Sequence, residues 1–204
     1  MKLWHSPASP FVRKVLVAAH ETGLARKLEI VEASTSAVNR NMKLVADNPS
    51  GKIPALVLKD GTLIADSSVI CAYLDTLHRG RKLAPAKGVA RFRVLTLESL
   101  GDAIMDAAVL ARYERALRPE DKRWADWEKG QIAKVVSSLD AIEKRYARLL
   151  GGAVNIGAIS VAAALGYLDF RFADLEWRKG RPGLAAWYEK FAKRPSMIAT
   201  APKA

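Results

Sequence analysis

Three short stretches combine residue types that could hold a small anionic ligand. In Asn48-Pro49-Ser50-Gly51-Lys52-Ile53-Pro54, two prolines and a glycine lie between apolar runs, where the chain must bend. Ile53-Pro54 is a candidate cis peptide in a tight turn, the kind of bend that leaves a backbone edge exposed. Downstream, Asp66-Ser67-Ser68 opens a helical pattern. The first N–H groups of a helix lack internal partners and sit at the positive end of its dipole, so Ser67 marks a place for a carboxylate, while Asp66 could accept from an ammonium group. On local sequence alone, Asp66 or Ser67 could equally serve only as the helix cap. Near the N-terminus, Ser9 precedes Pro10, the preferred arrangement for a helix start.

The elements that would position these groups follow from period and punctuation. Lys2 to His5 and Leu28 to Val31 read as strands, separated by a helix from Pro10 to Thr22 that buries Val12, Val15, Leu16 and Ala19 and stops at Gly23. A short weak helix over Ala37 to Ala46 leads into the proline turn. Ala55 to Leu58 and Thr62 to Ala65 are β-type runs joined through Asp60-Gly61, a tight-hairpin signal. The helix after Asp66 places Val69, Ile70, Tyr73, Leu74 and Leu77 on one face. The order β-α-β-α-β-β-α suits a mixed four-stranded sheet covered by helices, with one parallel crossover and one hairpin.

After Leu77 the composition changes. Residues 79–86 read as a linker, and from Lys87 onward the chain carries only helical patterns, at about Val89 to Leu117, Lys122 to Leu150, Ile156 to Phe172 and Leu184 to Ala192. The expected organisation is an α/β domain over 1–78 and an all-helical domain over 87–204.

Composition bounds the function. The chain has 204 residues, half of them hydrophobic and 26% charged, as in an ordinary globular protein. A single cysteine, Cys71, excludes an intramolecular disulfide and suits a reducing compartment. The start lacks a signal-peptide shape, and the longest apolar run, Ile156 to Leu168, is shorter than the roughly 20 residues that span a bilayer. The expectation is a cytoplasmic protein with no membrane partner. The net charge of +12 raises nucleic acid as a partner, yet the basic residues are spread along the chain among acidic ones, which argues against it and for general attraction of small anions. His5, His20 and His78 lack metal-ligand spacing, so no metal is expected.

Ser9 to Lys14 (Ser-Pro-Phe-Val-Arg-Lys), Asn48 to Pro54 (Asn-Pro-Ser-Gly-Lys-Ile-Pro) and Asp66-Ser67 at a helix start, in this order and spacing, resemble the glutathione transferases. The first domain resembles their thioredoxin-like domain, and the whole chain looks like a bacterial member of that superfamily. The resemblance implies glutathione as co-substrate, with the Ile53 backbone before cis-Pro54 pairing with the cysteinyl unit as an added strand. Asp66 and Ser67 would take the γ-glutamyl end, Lys52 would assist at the glycyl carboxylate, and Ser9 would donate a hydrogen bond to the thiolate. Ser6 is the fallback for that last role. Lowering a thiol from a pKa of about 8.5 to about 6.5 requires roughly 2.7 kcal/mol. One charge-assisted hydrogen bond at about 1.5–3 kcal/mol plus a helix-dipole contribution of about 0.3–1 kcal/mol suffices.

A serine cannot form the mixed disulfide that a cysteine before Pro10 would, so conjugation of a small electrophile is favoured over thiol-disulfide exchange. Cys71 reads as a small core residue. The implied activity is detoxifying transfer of alkyl or aryl groups by a homodimer, and the second domain supplies the acceptor pocket. Met105, Val109 and Tyr113 form an apolar stripe that reads as core or as acceptor lining, and Asp102 and Asp106 read as surface ion-pair partners. A non-catalytic glutathione-binding or scaffold protein of the same fold is the alternative, and an RNA-associated basic module a third reading. One departure from the family pattern stands out: Asn155 can cap the buried helix of the second domain, but Ala158 occupies the place of the Asp that usually reciprocates.

Overall fold

The computed structural model describes residues 1–203 and divides the chain into two compact units. One comprises Met1–Lys82 together with Pro195–Ala204, the other Leu83–Arg194.

The first unit is built on four strands, β1 (Lys2–His5), β2 (Glu29–Glu32), β3 (Ala55–Val57) and β4 (Leu63–Ile64), in the order β2-β1-β3-β4. β1 pairs parallel with β2 (Leu3 opposite Ile30) and antiparallel with β3 (Trp4 opposite Ala55), and β3 pairs antiparallel with β4 (Leu56 opposite Ile64). This is the expected mixed sheet, and the hairpin turns through Gly61 at φ 88°. Three helices accompany it: α1 (Pro10–Glu21), α2 (Met42–Asp47) and α3 (Ser67–Thr76). The strand alternation sends Leu3 and Leu56, both 0% exposed, to one face. On the other, Trp4 and Ala55 form a cluster with Ala33 and Leu44, against which Ile53 packs.

α2 starts at Met42, five positions later than its sequence pattern suggests, because the Asn41 side chain accepts from the backbone amides of Lys43 and Leu44, both at 3.1 Å. An asparagine acceptor at the cap satisfies two of the first amide donors of a helix that starts at Met42.

The second unit is helical: α4 (Gly88–Ala116), α5 (Ala125–Arg145), α6 (Ala147–Leu150), α7 (Ile156–Arg171) and α8 (Pro182–Phe191). α4 packs against α5 and α7. A Cβ on Gly157 would lie 2.8 Å from the Leu97 Cβ, and one on Gly101 would lie 2.8 Å from the Val161 amide nitrogen, so these glycines set the close approach of α4 and α7. Asn155 caps α7: its Oδ1 accepts from the Ala158 amide at 3.0 Å, and its Nδ2 donates to the Leu149 and Ala153 carbonyls. The missing acid at position 158 is therefore offset by the amide side chain, which works as acceptor and donor at once.

The domain limits differ from those read from sequence. The unit boundary falls after Lys82, inside the expected linker, and the last helix, α9 (Pro195–Ala199), belongs with the sheet unit rather than with the helical residues 87–194. Its Met197 is buried, the Met197 carbonyl accepts from Arg13 Nη2 at 3.1 Å, and Ser196 Oγ donates to Glu21. A five-residue helix after a proline carries too little periodicity to reveal where it docks.

Candidate functional site

The strand register brings the three sequence stretches to one end of the sheet. Trp4 lies opposite Ala55, so the chain leaving β1 toward Ser6 and Ser9 is beside the chain entering β3 through Ile53 and Pro54. Because Ile64 pairs with Leu56, the chain leaving β4 toward Asp66 emerges at the same end. The start of α1, the proline turn and the start of α3 thus share one edge.

At the first of these positions, Ser9 is the N-cap of α1 with Pro10 at the first helical position; its Oγ accepts from the Val12 amide at 3.3 Å. A hydroxyl that accepts through a lone pair still has its proton to donate, so capping leaves Ser9 able to serve a second partner. It is half-buried, and its own amide donates to the Ser6 carbonyl at 3.1 Å, which folds Ser6 into the turn before the helix. Among the described residues, no hydrogen bond joins Ser6 to Ile53 or Ser67.

The Ile53-Pro54 peptide is cis, and a second cis bond, Ala65-Asp66, precedes α3. Asn48, 3% exposed, shapes the turn from within: its Nδ2 donates to the Lys52 carbonyl at 2.8 Å, and its Oδ1 accepts from the Ser50 amide and hydroxyl. The turn is tethered upstream by Asp47, which pairs with Lys2 and accepts from the Trp4 indole at 2.7 Å; the hydrogen bonds from Lys2 and Trp4 hold its carboxyl below the usual range. Ile53 itself precedes β3 and lies outside its strand pairing, and Lys52 is exposed.

At the third position the ambiguity between Asp66 and Ser67 is resolved. Asp66 is the N-cap and accepts from the Ser68 amide at 3.0 Å; Ser67, 3% exposed, is the first helical residue. One residue the sequence reading passed over ties this helix start to the first: Lys14 on α1, fully buried, donates from Nζ to Ser68 Oγ at 3.0 Å. A lysine five residues into an amphipathic helix carries no signal of burial in the sequence; only the approach of α3 shows it.

The remaining candidates are structural. Cys71 is 1% exposed on α3, and Met105 is 0% exposed in the helical unit. Asp102 accepts from the Ser160 hydroxyl at 2.7 Å, tying α4 to α7. His5, at the end of β1, has its pKa lowered by burial, partly countered by Glu32.

A mixed sheet with this edge and a separate helical unit define the thioredoxin-like plus all-α architecture of the glutathione transferases. The sequence matches the glutathione S-transferase N-terminal domain over residues 8–77 and the C-terminal domain over 102–190. The chain belongs to the glutathione transferase superfamily.

Among relatives, the GST-like protein YibF of Escherichia coli K12 is 34% identical over 99% of this chain and 98% of its own. A glutathione transferase family member from Pseudomonas fluorescens Pf-5, crystallised with bound glutathione, is 50% identical with a TM-score of 0.98 over 100% of this chain and 99% of its own. A crystal structure of a family member from that strain with bound S-(propanoic acid)-glutathione is 49% identical with a TM-score of 0.94 over the full length of both chains. Both of these structural neighbours thus hold glutathione or an S-substituted glutathione.

Proposed function

We propose that the protein is a glutathione transferase in which Ser9 stabilises the glutathione thiolate for attack on a small electrophile. The observation that carries this reading is the convergence of the α1 start, the cis-Pro54 turn and the α3 start at one sheet end, with Lys14 bonding α1 to α3. Glutathione is extended and carries a carboxylate at each end, with an ammonium beside the one at the γ-glutamyl end. The Ile53 backbone would pair with its cysteinyl unit, and the Asp66-Ser67 helix start would take the γ-glutamyl carboxylate and ammonium. Lys52, exposed beside that turn, would meet the glycyl carboxylate.

The sulfur then faces the α1 N-terminus, where the Ser9 proton and the helix dipole both favour the anion. In the transfer step the sulfur lone pair forms the S–C bond while the displaced pair leaves with a halide or opens an epoxide, whose oxygen takes a proton from solvent. The glutathione and S-substituted glutathione held by the Pseudomonas relatives support both the co-substrate and the product class. Family membership supports a homodimer, to be checked by sedimentation equilibrium.

The decisive experiment compares wild type, Ser9→Ala and Ser9→Thr. Loss of a charge-assisted hydrogen bond of about 1.5–3 kcal/mol should lower kcat/KM for an aryl halide about 10- to 150-fold in Ser9→Ala and raise the pKa of bound glutathione, read by thiolate absorbance. Ser9→Thr should retain most of both. Glutathione binding with no turnover across a panel of aryl halides, epoxides and unsaturated carbonyls would instead identify a binding protein.

A further inference from the structure

A buried ammonium lies beneath the start of α3. Lys14 is 0% exposed, and its Nζ donates to Ser68 Oγ at 3.0 Å. Ser68 also gives its amide to the Asp66 carboxylate at 3.0 Å, so one residue separates the ammonium from the helix cap. All three belong to the sheet unit. Burying an ammonium is costly, and a methionine would fill much the same space on α1 without that cost, so packing alone does not account for Lys14.

The charges gathered at this helix start give the lysine a use. The α3 dipole contributes about half a positive charge at its N-terminus. The Asp66 carboxylate, seated on the Ser68 amide as N-cap, brings a full negative charge to the same place. Dipole and cap together leave about half a negative charge, which repels an incoming carboxylate. The Lys14 ammonium reverses that sign, and because it is fully buried, salt screens its field far less than that of an exposed lysine. Asp66 takes the Ser68 amide on its side chain and the Ile70 amide on its carbonyl, which leaves the Ser67 and Val69 amides as donors for a ligand.

We infer that Lys14 sets the specificity of the α3 start: its buried charge lets this helix end hold the γ-glutamyl carboxylate of glutathione while Asp66, beside it, keeps a negative charge for the γ-glutamyl ammonium. The inference rests on the glutathione reading. Lys14 is a positioning residue, acting across Ser68 rather than by touching the ligand. Without it the same helix start favours a cationic end over an anionic one, and the zwitterion that marks the γ-glutamyl unit loses half of its recognition.

The test uses the full chain and two peptides that each carry half of that zwitterion, glutaryl-cysteinyl-glycine (carboxylate only) and 4-aminobutyryl-cysteinyl-glycine (ammonium only), titrated calorimetrically alongside glutathione. Lys14→Met should weaken glutathione and the glutaryl peptide about tenfold or more and leave the 4-aminobutyryl peptide unchanged or tighter, whereas Lys14→Arg, which keeps the charge, should hold most of the glutaryl affinity. Adding Asp66→Asn to Lys14→Met keeps a cap acceptor but removes its charge, and should return most of what the glutaryl peptide lost. Equal weakening of both peptides, no weakening of either, or a double variant no better than Lys14→Met overturns the inference, since a lysine that only joins α1 to α3 gains nothing from a neutral cap. Far-UV circular dichroism melts check folding; should Lys14→Met not fold, Asp66→Asn alone decides, because it should tighten the glutaryl peptide, and an unchanged or weaker affinity overturns the inference. Failure of the wild type to bind glutathione overturns the glutathione reading itself, and the role of Lys14 with it.

Discussion

Burial pushes the Tyr167 phenol up to about 12, against the pull of Arg171 and Arg112. A raised phenol pKa means the folded state holds its proton longer than the unfolded chain, which releases it near 10. The contribution is therefore fully present below about pH 10 and is lost as pH rises from there to about 12, a loss on the order of 2–3 kcal/mol at 1.36 kcal/mol per unit. Absorbance at 295 nm should show a late-titrating phenol, and Tyr167→Phe should remove that late step; a Tyr167→Phe curve that keeps it would place the raised phenol elsewhere. Legibility at this scale depended on locality. The cap at Ser9 was readable because its partner, Val12, is three residues away, whereas Lys14 draws its meaning from Ser68, 54 positions distant.

Among the elements, the helices announced themselves through apolar period and breaks at glycine and proline, and the sheet through its hairpin and short β runs. What the sequence concealed was how ends are finished. The start of α7 looked incomplete because the reciprocal acid is missing, yet Asn155 makes one accepted and two donated hydrogen bonds there. Asn155→Ala should cost about 1–2 kcal/mol from the cap, with more from the Leu149 and Ala153 carbonyls left without their donor. Asn155→Asp keeps the acceptor and gains from the helix dipole but loses both donors, so its stability should fall between wild type and alanine. Urea denaturation of the three proteins orders them; an aspartate variant as unstable as alanine would mean that the donated bonds, not the cap, dominate. α2 illustrates the opposite limit, since its six residues are too few to show a period and only Asn41 fixes where it begins.

For the molecule as a whole, a charged, glycine-containing stretch separates β-bearing from purely helical sequence, and the passage from one unit to the other after Lys82 lies within it. The return of the chain to the first unit was not, since nothing in Pro195–Ala204 distinguishes a tenth of a helical domain from a strap on a sheet domain. That strap carries two interactions the sheet unit needs: the buried Met197 side chain and the acceptor for Arg13, itself only 8% exposed. Removing residues 195–204 would strip about 1.5–3 kcal/mol of methionine burial and leave a buried guanidinium short of an acceptor, at about 1.5–3 kcal/mol more. The truncated chain should therefore lose about 3–6 kcal/mol from the unit that contains Ser9, Ile53 and Ser67, while the helical unit, which holds none of these contacts, keeps its own stability. Hydrogen exchange resolves the two: amides of α1 and β1 should exchange faster by two orders of magnitude or more, while those of α4 and α7 stay protected. Uniform acceleration across both units would show instead that the chain unfolds as a single cooperative body.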